Sequence, residues 1–195
     1  MAKTNDIAIS TDVMKPEIVT FRVIGTSPLI QNNPVEFIGK IETQSLGTKK
    51  VYNDEDEARL RLYKDADGHL CHPSEAFTRA MVKAVAGRKF GKLFATAAMK
   101  GSVFITETMS IIEDAKGNPL TKYDIDRRSV VVGKARVLRC RPIFTQWSIR
   151  IAFEVNTAIL RPDHVKESLA LAGMVVGVGD FRPEKGGRFG RFTVE

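Results

Sequence analysis

Apolar residues occupy every second position from 17 to 24, with Val19, Phe21 and Val23 on one side, and the run stops at Gly25. That alternation predicts a first strand. A second clean alternation places Trp147, Ile149, Ile151, Phe153 and Val155 on one face and predicts a strand over 147–155. Residues 102–112, closed by a turn at 114–118, and residues 129–138 read as further strands, and 188–194 as the last. The period changes twice. Pro73, Ser74 and Glu75 open a helix whose apolar residues Phe77, Ala80, Met81, Ala84 and Val85 recur at helical spacing up to Gly87. Residues 162–175 predict a second helix, with Pro162 in its first turn and Asp163 placed to favour the positive helix end.

The remaining segments lack a sustained period. Residues 1–16 are polar and end at Pro16, which predicts a loose arm. Residues 25–53, with Pro28, Asn32, Asn33, Pro34, Gly39 and Gly47, predict a long loop or projecting hairpin. A short helix could start at Asp54, and Asp67-Gly68 is a hairpin-turn signal. The order is thus strand, long insertion (25–72), helix, several strands, helix, strand. An α+β, ferredoxin-like or RRM-like βαββαβ sandwich gives that order when material is inserted after its first strand, within one domain over 17–195. No repeat of 20–50 residues is present.

The 195 residues carry a net charge of +7, and the charge is divided unevenly. Residues 1–126 hold 17 Lys+Arg against 17 Asp+Glu, whereas residues 127–195 hold 13 against 6. Ten of those 13 are arginine, whose planar fork of donors matches phosphate and stacks on bases. The asymmetry points to a nucleic acid partner. The uncharged stretch 168–179 is 12 residues with three glycines and the longest, 23–35, is 13, both too short for a membrane span. Cys71 and Cys140 lie 69 apart without CxxC spacing, and no secretory signal pattern opens the chain, so a reducing, cytoplasmic setting is expected.

Six of the fifteen glycines fall between Gly173 and Gly190, interleaved with Arg182, Lys185, Arg188 and Arg191 and with Phe181 and Phe189. Backbone donors, cations and stacking faces together are the chemistry of single-strand binding. The segment is neither a Walker loop nor a Rossmann fingerprint, since its glycines follow a helix and precede a strand.

Val176-Gly177-Val178-Gly179, Arg182, Lys185-Gly186-Gly187 and Phe189-Gly190-Arg191-Phe192 resemble the glycine-rich loop that RAMP-superfamily proteins carry between the last helix and last strand of an RRM-like core. That superfamily includes the crRNA-binding backbone subunits of CRISPR Cascade complexes. The run from Arg139 through Trp147 is similar to small stand-alone RAMP-like proteins, some of them phage-encoded. The resemblance implies an RRM-like core, a projecting thumb, a single strand of RNA along a basic groove, and head-to-tail self-assembly. Residues 180–184 are an insertion relative to the simplest loop of that family.

The candidate nucleic-acid contacts are Arg127, Arg128, Lys134, Arg136, Arg139 and Arg141; Arg182, Lys185, Gly186, Gly187, Arg188, Gly190 and Arg191; and the basic loop of Arg88, Lys89 and Lys92. The alternative for the first group is a solvated strand face, for the second a connection that merely needs turns, and for the third a plain exposed loop. His69, Cys71 and His72 resemble metal ligands, but a zinc site needs further ligands at suitable spacing. Asp124 with Asp126, or Asp54 with Asp56, could hold a divalent ion. No nucleophilic constellation stands out, and neither a cofactor nor a resident metal is expected. Three function classes stay open. The chain is expected to be a non-catalytic single-stranded RNA or DNA binder assembling as a homo-oligomer or filament, with no membrane partner. The alternatives are a RAMP-type endoribonuclease and a phage-encoded structural or interaction protein with a basic face.

Overall fold

The computed structural model describes residues 16–34, 53–133 and 135–195. The first strand, β1, spans Pro16–Gly25, and β10, spanning Ser148–Asn156, pairs with it antiparallel from Pro16↔Asn156 to Ile24↔Ser148. Directly opposed residues share a sheet face, so Val19, Phe21 and Val23 line up with Phe153, Ile151 and Ile149 on the core side. On its other side β10 takes two short strands, β6 (Val103–Ile105) and β7 (Met109–Glu113). β7 in turn pairs with β3 (Cys71–Pro73), and β11 (Phe192–Val194) closes the opposite edge on β1. Every pairing in this sheet, ordered β11-β1-β10-β7-β3, is antiparallel.

One face of the sheet carries the helices. Helix α2 (Glu75–Ala84) buries Phe77, Ala80 and Met81, and α4 (Pro162–Val175) buries Val165, Leu169 and Ala172. Those spacings of three and four put each set on one helix face. The two helices pack side by side and share one core with Phe153 and Ile151, with the Phe77 ring edge-on to Phe192 of β11 at 5.6 Å. The fold is α+β with a mainly antiparallel sheet, compatible with a ferredoxin-like fold.

Helix α4 matches its expected bounds at both ends. Elsewhere the structure corrects the sequence reading. The expected strand over 129–138 runs across a turn: β8 (Asp124–Val132) and β9 (Ala135–Phe144) form a long hairpin, in which Gly133 at φ +63° takes the left-handed turn position. The expected strand over 102–112 is broken at 106–108 into β6 and β7. The basic loop at 88–92 belongs to a tight hairpin, β4 (Lys89–Phe90) and β5 (Leu93–Phe94), followed by an unforeseen α3 (Ala95–Ser102). Within the expected loop 25–53, β2 (Leu29–Ile30) is fully buried and pairs with β9, giving a second sheet ordered β2-β9-β8. Helix α1 is short, Asp54–Arg59, and Asn53 caps it by accepting the Glu55 N–H. The arm 1–15, residues 35–52 of the insertion and Lys134 lie outside the described residues. Among the described residues no helix is long and apolar enough to cross a membrane.

Candidate nucleic-acid interface

The strand hydrogen bonding of the β8–β9 hairpin decides which arginines share a face. Asp126 opposes Arg141 and Arg128 opposes Arg139, so these four side chains project on one side. Arg127, Leu138, Val131 and Arg136 project on the other. On the first side the hairpin meets the glycine-rich segment. The buried Arg141 guanidinium donates to Asp126 (3.1 Å) and to Asp180 of the glycine loop (2.7 Å). Arg128 lies over the Phe189 ring at 4.6 Å while its Nε donates to Asp126 at 2.6 Å. Arg188 approaches the same ring at 5.6 Å. Two basic segments separated by some forty residues of sequence are thereby one surface, centred on Phe189.

The glycine loop is a folded object. Val178 N–H donates to Gly190 O, Gly190 N–H to Pro28 O, and Asp180 N–H to Ile30 O, which ties the loop to β2 and to its own far end. A Cβ on Gly190, at φ +66°, would lie 1.7 Å from the Val178 carbonyl oxygen, and one on Gly187 would lie 1.6 Å from that of Phe181. Glycine is required at both places by the chain's own backbone. Phe181 itself adopts φ +50°, uncommon for an aromatic residue, with its N–H held by the Asp180 carboxylate and its ring 43% exposed. Phe189, by contrast, is buried beneath the two arginines.

The cations divide by whether a carboxylate already holds them. Arg182 is taken by Glu184 (2.7 Å) and by the Gly179 carbonyl (2.9 Å). Arg127 pairs with Asp54 (2.6 Å), and Arg139 reaches Glu57 (3.5 Å), whose other oxygen accepts the Cys140 N–H. Arg61 shares that buried Glu57 at 3.0 Å. Arg136, Lys185, Arg188 and Arg191 are exposed and have no ion pair among the described residues. The acidic partners Asp54, Glu57, Asp126 and Asp180 were not foreseen as such: only Asp126, two residues before Arg128, and Glu57, four before Arg61, are near an arginine partner in sequence.

Arg88, Lys89 and Lys92 stand elsewhere. Phe90 of the β4–β5 hairpin stacks on His164 in the first turn of α4 (4.8 Å, 23°), whereas the glycine loop leaves the other end of that helix. Fourteen residues at 1.5 Å each separate the two ends by about 20 Å. Lys89 lies over the exposed Phe94 ring at 4.8 Å.

The metal-like candidates are not brought together as grouped in the sequence. Cys71 and Cys140 are buried free thiols, and burial pushes each up to about 11. His69 is exposed and pairs with Asp65 at 3.0 Å. Asp65, Asp67 and His69 do bring one ligand atom each within 4.8 Å of one another, but the Asp65 carboxylate already accepts the Asp67 and His69 N–H groups and the His69 ring. Asp126 is occupied by arginines, and Asp56 by Arg59.

Among solved structures the fold has a counterpart. It is similar to Cmr6 from Pyrococcus furiosus. The likeness covers 93% of this chain and 100% of that one, at 13% identity and a TM-score of 0.43. No residue role crosses a likeness of this degree. No family model and no curated protein matches the sequence.

Proposed function

We propose that the chain is a non-catalytic, single-stranded nucleic-acid-binding protein of RAMP type, with RNA as its strand, working in the cytoplasm and assembling head to tail along the strand. The supporting observation is the junction of hairpin and glycine loop. It brings Arg128 and Arg188 onto the Phe189 ring, which lies against an exposed aromatic, Phe181, held in a rare backbone conformation, with Lys185 and Arg191 exposed on the same loop. Cations beside an aromatic face suit a strand whose phosphates and bases are both available. Arg141 and Arg182 serve this surface as struts, since carboxylates already hold them.

In the same reading the sheet order β11-β1-β10-β7, with α2 between β1 and β7 and α4 between β10 and β11, is the βαββαβ core, and the long hairpin is its projecting element. RRM proteins stack bases on aromatics of the open sheet face. Here that face presents Ile18, Thr20, Arg22, Arg150, Ala152 and Glu154 on β1 and β10 and one exposed aromatic, Phe104 of β6, opposite Glu154, whereas the loop and hairpin combine aromatics with several exposed cations and are the better platform.

The test is binding of labelled single-stranded RNA as salt is raised, with single-stranded DNA as competitor. Several phosphate contacts make log K fall by about 0.7 per contact for each decade of salt. A flat response overturns the electrostatic reading. Sedimentation with and without a long strand tests assembly, and a complex of one protein per strand at saturation refutes it. Loss of full-length RNA during incubation, with or without magnesium, would favour the endoribonuclease alternative.

A further inference from the structure

A groove of about 920 Å³ runs between α2 and the glycine loop, at the upper end of the range for small-molecule sites. Its walls include Pro73, Ala76, Ala80, Val176 and Val178, with Gly177 and Gly179 at the loop side. Tyr63, His72 and Thr78 are among the polar side chains that line it.

The state of His72 can be worked out from its neighbours. Gln31 Oε1 accepts the Tyr63 N–H (3.1 Å), which makes the other amide atom the NH₂ group, and that group donates to Cys71 O (2.7 Å). It also faces His72 Nδ1 at 3.4 Å, so Nδ1 is the accepting nitrogen. Burial holds the ring neutral, pushed down to about 4, with the Arg182 charge adding to the effect. A neutral imidazole that accepts at Nδ1 carries its proton at Nε2. His72 is only 3% exposed, and Nε2 has no hydrogen-bond partner among the described residues. The Thr78 hydroxyl is likewise buried without a partner. Unmet buried donors are uncommon because they are costly, and both belong to side chains that line this groove, which points to an occupant that supplies acceptors.

Charge decides what kind of occupant. Of the four cations that line the groove three are already held by carboxylates, Arg182 and Lys83 by Glu184 and Arg79 by Glu75, and the fourth, Lys100, has no ion pair among the described residues. Asp180 and Glu184 also line the groove. An anionic phosphate gains little here, whereas a flat, neutral heterocycle with ring-nitrogen and carbonyl acceptors meets apolar walls, an N–H donor and a hydroxyl. The groove opens on the loop that also carries Lys185 and Arg188.

We propose that this groove is a nucleobase pocket, taking one unstacked base of the bound strand with the His72 Nε2–H and the Thr78 hydroxyl on its polar edge. The proposal rests on the nucleic-acid reading above, and its test separates the two. The full chain, ¹⁵N-labelled at histidine, is titrated with each of the four free ribonucleosides at millimolar concentration, and the His72 imidazole resonance is followed, with His72→Phe giving the assignment. In parallel, a short single-stranded RNA is compared with an abasic ribose-phosphate chain of equal length. The expected result is a saturable shift of the His72 resonance by at least one nucleoside. The RNA should also bind at least about fivefold tighter than the abasic chain, a difference lost in His72→Phe and reduced in Thr78→Val. Should His72→Phe not fold, Thr78→Val carries that arm, and the resonance is assigned by elimination with His69→Gln and His164→Gln. No shift, with RNA and abasic chain binding alike, overturns the pocket and leaves the nucleic-acid reading intact. A shift with both strands binding alike overturns the entry of a strand base. If neither strand binds, the nucleic-acid reading falls, and the nucleoside titration alone decides the pocket.

Discussion

Replacing Arg141 by methionine separates a strut from a ligand. Both roles were open in the sequence, where Arg141 is one of a run of basic residues. In the fold its side chain is 7% exposed and bridges Asp126, itself 8% exposed, and Asp180, which is 32% exposed. Removing one partner of a buried ion pair leaves an uncompensated charge, at a cost of about 3–5 kcal/mol. Asp126 keeps Arg128 at 2.6 Å and Asp180 is partly solvated, so the lower end, about 3 kcal/mol, applies. For a domain of this size that lowers the melting temperature by about 6–12 °C. Arg141→Met combined with Asp126→Asn should recover part of the loss, because the stranded charge is then gone. Calorimetry or urea unfolding measures the stability, and RNA binding across a salt series measures the contact. A strut loses stability and leaves the salt slope of the folded fraction unchanged. A phosphate ligand does the reverse, keeping its melting point while the slope falls by about 0.7. Arg141→Met melting within about 2 °C of the wild type would refute the reasoning and return Arg141 to the interface.

The exposed cations should behave in the opposite way: Lys185→Ala, Arg188→Ala and Arg191→Ala together should leave melting unchanged and weaken RNA binding by about a hundredfold or more, at roughly 1 kcal/mol or more for each charge-assisted contact. Unchanged affinity at moderate salt would move the site to the other hairpin face. Gly190→Val, whose Cβ would meet Val178 O, should fail to fold stably, while Gly186→Ala, at φ +75° in open space, should cost only about 1–2 kcal/mol by thermal melting. Equal melting of the two would show that the loop is not packed as described. His72 titrates near 4 when folded and near 6.5 when unfolded, so its neutral form adds stability that is complete above about pH 6.5 and is lost as pH falls through about 4. The effect reaches about 3 kcal/mol at the acid end, and stability curves of His72→Phe should lack that part of the acid loss; a profile parallel to the wild type would refute it.

The elements carried by a regular period were legible in the sequence, and the junctions between them were not. β1, β10 and α4 each have a single period sustained over nine or more residues, and the structure follows them closely. The hairpin arms were misread because Val130, Val131 and Val132 continue the apolar run up to Gly133, and one glycine is a weak signal against a continuous run of β-branched residues. Helix α3, ATAAMKGS, escaped notice because its small residues give little contrast between faces, and β2 was hidden between Pro28 and Pro34.

The candidate site was legible as composition but not as division of labour. A count of arginines cannot tell Arg188, which is exposed, from Arg141, which is enclosed, since the distinction depends on where Asp126 and Asp180 come to lie, and those positions are set by strand pairing and by the path of the glycine loop. The same holds for the glycines. Read along the chain they suggest room for a ligand against the backbone, yet at positions 187 and 190 the space is filled by Phe181 and Val178 carbonyls. Rigidity follows from that filling. A loop whose glycines bring its own strands together, and whose Arg141 and Arg182 are fixed by carboxylates, holds Lys185, Arg188 and the strained Phe181 in a defined arrangement before any strand arrives. Preorganisation of this kind lowers the ordering cost of binding. It therefore predicts that loosening the loop through Asp180→Asn weakens RNA binding although Asp180 is negative. An electrostatic interface lacking that architecture would bind more tightly when the carboxylate is removed. The sign of the change in affinity, read in one titration at fixed salt, decides between them.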